Sequence, residues 1–332
     1  MLKRLPALAE ARSLLLLGVV WLYFDLSVDG WFTDATFQGL LGRAVPIAIL
    51  GAGFTVCLLS GRIDLSVGAN FALSGVIFAS VQPHRGLAVA IIAAVLAGTV
   101  VGAINGGLVA GLGVDSFIAS LGTLLLCRGI AFVVSKGEPV NATDLNASLK
   151  FNESLLGPVS YRILVLFVVV AVCHVFISRT RVGRDIVATG GDEVAARANG
   201  VPTRKRITVA FMVSGTTAAI AGATSALGLL SGSPIVGDQE LLAAVAAVFL
   251  GGAALTGGRG SVLATGLAAV ALASLTTGME LKNIDVSWQS VVIGGAVLIA
   301  SAPALRDAAS RLRPARRVGP RPRTEGEADV PA

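Results

Sequence analysis

Apolar runs of membrane-spanning length, broken by short polar links, dominate the chain from end to end. A helix needs about 20 apolar residues to cross the hydrocarbon core. On that window ten segments qualify: 13–32, 43–60, 64–81, 87–110, 115–135, 161–178, 207–230, 239–256, 261–279 and 286–303. The pattern predicts an all-α membrane protein, a polytopic bundle of about ten transmembrane helices. Only Ser60-Gly61-Arg62-Ile63 separates the second segment from the third, so one of the two is expected to be broken or re-entrant. No linker is long enough to divide the chain, which reads as one membrane domain over 1–305 with a basic, disordered tail over 306–332.

Composition strengthens this picture. Only 14 % of the 332 residues are charged and 54 % are hydrophobic, against about 25 % charged in soluble domains. The 40 glycines fit helices that approach closely in lipid. Charge then orients the chain. With ten spans and the N-terminus inside, nineteen of the 26 basic residues lie on the inner side and six on the outer, with Arg128 inside a span. Cytoplasmic loops collect Lys and Arg, so both termini are expected in the cytoplasm of a cell-membrane protein. The net charge of +6 therefore needs no nucleic acid to explain it. The run after Arg12 lacks a clear small-x-small cleavage site, and reads as an uncleaved first span rather than a signal peptide.

Chemistry is sparse. There is no Walker A loop, no His-Glu-x-x-His and no nucleophile elbow. Cys57, Cys127 and Cys173 are far apart in apolar runs and read as small hydrophobes. His84 and His174 read as local hydrogen-bonding residues. No enzyme activity, cofactor or metal is expected on this chain. Acidic residues sit mostly at predicted span ends, whereas ion-coupled carriers place them at mid-membrane. Arg128 has two readings, as a packing residue that snorkels or pairs internally, or as a polar group lining a path. The chain has the body of a transporter without an engine.

The middle inner loop, 179–206, is the most informative segment. Asp192 can cap a short helix, Glu193 suits its positive end, Ala195 and Ala196 propagate it, and Gly200 with Pro202 stops it. This helix is too polar to span, and its alanine face offers a small surface for a partner or lies flat against lipid headgroups. Earlier, Asp64 and Ser66 can cap the third segment, while Gly61 and Gly68 permit a tight turn and close packing. Gly257, Gly258 and Gly260 around Arg259 look like a second copy of the Gly61-Arg62 turn, a weak mark of internal duplication.

Gly191-Asp-Glu-Val-Ala-Ala-Arg-Ala-Asn-Gly200 resembles the coupling-helix loop of ABC importer permeases of the ribose/xylose type, and Thr180 to Arg184 resembles its lead-in. Gly61-Arg-Ile-Asp-Leu-Ser-Val-Gly68 resembles the same family's Gly-Gly-Ile-Asp-Leu-Ser-Val-Gly turn, with Arg62 in place of the second glycine. Phe117 to Thr123 with Arg128-Gly129, Gly257 to Ser261, and Val286-Ser-Trp288-Gln289 fit its later patterns in order. The resemblance implies that Gly191, Asp192, Glu193, Ala195, Ala196 and Gly200 form the ATPase-coupling helix. Asn70, Phe117, Thr123, Arg128, Trp288 and Gln289 are the pathway candidates. It further implies a permease pair, a cytoplasmic ATPase that binds the ATP, and an extracytoplasmic sugar-binding protein, for which the polar outer loop 136–162 is the natural contact. A nucleoside, a signalling furanose or a branched-chain amino acid would suit the same architecture, and a stand-alone secondary transporter is the more distant alternative.

Overall fold

The computed structural model describes residues 4–285, 287–295 and 298. The chain runs α1 (Arg4–Asp25), α2 (Asp34–Leu59), α3 (Val67–Gly111), α4 (Ser116–Ser135), β1 (Val140–Asn141), α5 (Leu145–Asn152), β2 (Ser154–Leu156), β3 (Val159–Ser160), α6 (Tyr161–Arg179), α7 (Arg181–Gly191), α8 (Glu193–Ala198), α9 (Thr203–Leu229), β4 (Ser231–Gly232), α10 (Asp238–Leu250) and α11 (Val262–Leu281). Two small antiparallel pairs, β1 with β4 and β2 with β3, are the only sheet among the described residues. Seven helices are long and apolar enough to cross a membrane: α1 from Ala7, then α2, α3, α4, α6, α9 and α11.

The difference from ten segments has local causes. Segments 64–81 and 87–110 form one 45-residue helix, α3, bent into two legs at Gly86, whose φ of 79° is non-helical and suits glycine because it carries no Cβ. Segment 239–256 yields only the 13-residue α10, far short of a span at 1.5 Å per residue. It stops at Gly252, whose φ of 75° is left-handed and lets Ala253 N donate back to Val248 O at 3.2 Å. The first helix ends at Asp25 rather than near residue 32, giving way to turns over 26–33. Residues 287–295 are helical, but 299–303 of the expected segment 286–303, and all of the tail 306–332, lie outside the described residues.

Close helix approach organises the core. Helix α2 is buried along most of its length through small residues, among them Ala44, Ala48, Gly51, Ala52 and Gly53. The second leg of α3 lies against α9 along Gly98, Gly102 and Gly106, one residue in four. A Cβ at these positions would come within 2.5 Å of Ala219 Cβ, 2.3 Å of Phe211 O and 2.6 Å of Thr208 Cα. Such a stripe lets backbones touch where apolar lipid removes the usual hydrophobic drive for helix association. The ends of the bundle differ. Gly61, α7, α8 and the turn at Gly257 gather at one, the basic end. Helix α5 and the β2–β3 hairpin gather at the other, the distal end.

The third segment starts inside the bundle rather than at its end. Gly68 packs on Gly237, where a Cβ would lie 2.7 Å from Gly237 O. Asn70 Nδ2 donates to Gly98 O at 3.3 Å and Gly215 O at 3.2 Å, the first near the midpoint of the second leg of α3 and the second near the midpoint of α9. After α2 reaches the basic end at Leu59, residues 60–66 turn back, and the first leg of α3 begins inside the bundle, level with Asn105 on the second leg. Such broken segments occur in membranes only where protein or water, not lipid, surrounds the unwound backbone.

Candidate functional site: a lever at the basic end and a polar core above it

Helix α8 is built as its residues suggest. Asp192 accepts from Ala195 N at 2.9 Å and caps it, and the chain turns away at Gly200. Val194 is 80 % exposed, whereas Ala196 is 7 % exposed. Ala196 therefore points into the chain, and Val194, Ala195 and Ala198 form the outward face. One helical step of about 100° separates the two sides, and in an Ala-Ala pair composition does not tell them apart.

What lies behind α8 could not be read from spacing. Three glycine turns meet backbone to backbone: Gly61, Gly190-Gly191 and Gly257-Gly258. A Cβ on Gly190 would lie 2.0 Å from Leu59 O, one on Gly257 2.5 Å from Gly61 Cα, and one on Gly258 2.6 Å from Gly191 Cα. Gly258 N donates to Leu59 O at 3.1 Å. Gly61 has φ 78°, which lets the chain reverse here. Glu193 then pins α8 to this knot, pairing with Arg62 at 2.7 Å and with Arg197 at 2.6 Å. Arg62, which stands where the resemblance expects glycine, is thus used. Arg206 and Asp185, both mostly buried, pair at 2.9 Å and tie α7 to α9. A cavity of about 270 Å³ beside α8 is lined by Arg62, Glu193, Arg197, Arg204 and the Gly111–Gly113 turn.

Above the knot the re-entrant turn carries a buried polar cluster. Asp64 Oδ1 accepts from Ser66 N at 3.1 Å and Ser66 Oγ at 2.6 Å. Asn105 Nδ2 donates to Ser66 Oγ at 2.9 Å, and Thr123 Oγ1 donates to Asn105 Oδ1. Asp64 thus folds the turn onto Ser66, whose own side chain makes no capping bond, and the cluster clamps the turn between α3 and α4. Asn70 and Thr123, taken above as pathway candidates, are buried and fully engaged in joining helices. Phe117 and Trp288 are exposed, and Gln289 is buried.

Arg128 takes the first of its two readings, an internally paired packing residue. Its guanidinium donates through Nη1 to Pro234 O at 2.9 Å and Val236 O at 3.0 Å, and through Nη2 to Asp238. It packs, yet it does so at the edge of a non-helical stretch. Sequence reasoning missed Asp238, which it placed at a span end; only the short length of α10 reveals its depth. A cleft of about 390 Å³ between α6 and α9 is lined mainly by apolar side chains, among them Val168, Val172, Phe176, Val213 and Ile220, and offers little to a polar solute.

Residues 36–302 match the family described as branched-chain amino acid transport system, permease component. The chain is 33 % identical over 299 residues to the ribose import permease protein of Escherichia coli K12, covering 88 % of this chain and 92 % of that one. It is 30 % identical over 289 residues to the D-allose transport system permease protein of the same strain, covering 86 % and 87 %. It is 30 % identical to the xylose transport system permease protein of Haemophilus influenzae, covering 86 % and 93 %.

Proposed function

Because the chain belongs to the branched-chain amino acid transport system permease family, we propose that it is the membrane-spanning subunit of an ATP-driven importer for a monosaccharide. The cargo follows the ribose, allose and xylose permeases to which it is similar. In this reading the basic end faces the cytoplasm, as do both termini, and the distal end receives sugar from an extracytoplasmic binding protein. A partner ATPase binds the nucleotide and docks on α8. Two copies of the chain enclose the path in the cell membrane.

One observation carries the mechanism: an exposed, capped helix is fixed to the re-entrant turn by the glycine knot and by Glu193–Arg62. A push on α8 is transmitted as rigid-body movement, since contacts between backbones leave no side chain to yield. The knot joins the ends of α2, α7 and the α10–α11 connection, so one displacement reaches all three. The turn at 60–66, clamped by Asp64 and Asn105, passes it toward mid-bundle.

Val194→Glu tests the docking face. Val194 touches solvent rather than this chain's core, so yield and thermal unfolding should match the wild type. Co-purification of the ATPase and sugar uptake should each fall by at least about ten-fold, which is about 1.4 kcal/mol of lost docking energy. Full uptake with an intact complex would remove the coupling role from α8. Ala196 is unsuitable for this test, because a charge there would be buried and unpaired.

A further inference from the structure

Arg128 is the one charged side chain in the 20-residue apolar helix α4, and its reach defines a second polar place in the bundle. It holds the carbonyls of Pro234 and Val236, which lie in the non-helical turn between β4 and α10, and it pairs with Asp238. The depth follows from packing. Gly237 presses on Gly68, where its Cβ would lie 2.1 Å from Gly68 O. Gly68 is two residues from Asn70, whose amide bonds the mid-helix carbonyls of Gly98 and Gly215. Asp238 therefore stands inside the bundle, next to a residue that lies between the levels of Asn105 and Gly98 on the second leg of α3.

At that depth the Asp238 side chain is 69 % exposed, while Arg128 is 17 % exposed. A carboxylate turned toward acyl chains at mid-membrane is strongly disfavoured, so the surface it faces is wet. Asp238 is not needed to start α10 either: Glu240 Oε2 accepts from Gly237 N at 2.9 Å and serves as the cap. We propose that Arg128 and Asp238 form a solute-contact point on the translocation path. This rests on the importer reading above. The Asp238 carboxylate accepts hydrogen bonds from vicinal hydroxyls of a neutral polyhydroxylated solute. Arg128 is a positioning residue, holding Asp238 and the unwound carbonyls in place while its remaining N–H groups offer donors. The pair is neutral overall, so a neutral polyol meets acceptors and donors together, whereas a solute with net charge has to break the pair to find its counter-ion.

The experiment uses the full transporter in lipid vesicles, with Cys57, Cys127 and Cys173 changed to alanine. Asp238→Cys should react with a water-soluble, membrane-impermeant methanethiosulfonate reagent in at least one nucleotide state, as readily as an exposed Val194→Cys control. Absence of reaction in every state would overturn the proposal. With ribose as probe, Asp238→Asn should raise the KM for uptake at least about ten-fold while ATPase co-purification stays at the wild-type level, and Asp238→Glu should recover part of the loss. A wild-type KM in Asp238→Asn would equally overturn it. If the unmodified complex carries no ribose, the cargo reading fails, and the labelling result still decides whether Asp238 faces water.

Discussion

Gly190→Val is expected to abolish sugar uptake and to lower the unfolding midpoint sharply, while Gly191→Ala, one residue away, should leave both near the wild type. The Cβ of any side chain at Gly190 would lie 2.0 Å from Leu59 O and 2.7 Å from Gly61 N, backbone atoms that cannot rotate aside. Relief requires the turn at Gly61 to move away from α7, which breaks the bond from Gly258 N to Leu59 O and strains the Arg62–Glu193 pair. Overpacking of ordinary cores costs about 1–3 kcal/mol. A clash with backbone at a three-way junction should reach the upper end or beyond. Nothing lies within 4 Å of a Cβ on Gly191, so the pair of variants separates loss of the knot from loss of glycine as such. Uptake in vesicles and thermal unfolding in detergent provide the two readouts.

Gly102→Leu should be as damaging by a different route. Its Cβ would come 2.3 Å from Phe211 O and 2.9 Å from Met212 Cα, so α3 and α9 could no longer touch. Separating them also weakens the neighbouring bonds of Asn70 to Gly98 O and Gly215 O. The expected result is a loss of about 3 kcal/mol or more and little extractable folded protein. Gly107→Ala, on the open side of the same leg, meets nothing within 4 Å and should be neutral or slightly stabilising through its better helix propensity. Size-exclusion recovery and unfolding midpoint measure the contrast.

How far the sequence could be read follows from what each residue type encodes. Apolar runs mark helices because lipid demands them, and they located α4, α6, α9 and α11 within a few residues, while α2 begins nine residues before the run that marked it. Local hydrogen-bond chemistry marked the Asp192 cap, the stop at Gly200 and the turn at Gly61. Facing is harder in alanine- and glycine-rich helices, where apolar residues surround the axis and no polar stripe sets a phase. That is why the outward side of α8 could not be told from its inward side, and why the burial of Asn70 and Thr123 left no mark in the sequence. Long-range meetings left no local trace. The glycines at 61 and 257 were each legible as turns, but their meeting with Gly190 in one knot was not. Arg128 and Asp238 belong to segments 110 residues apart, and their pairing depends on α10 being too short to span.

The central claim is that this chain is a conduit driven by a partner's ATP. Its most direct test is radiolabelled ribose uptake into vesicles reconstituted with the chain alone, with the chain and its ATPase, and with both plus the extracytoplasmic binding protein. Accumulation should occur only in the complete system, and only with ATP on the side of α8. Accumulation by the chain alone, driven by a proton or sodium gradient, would contradict the account.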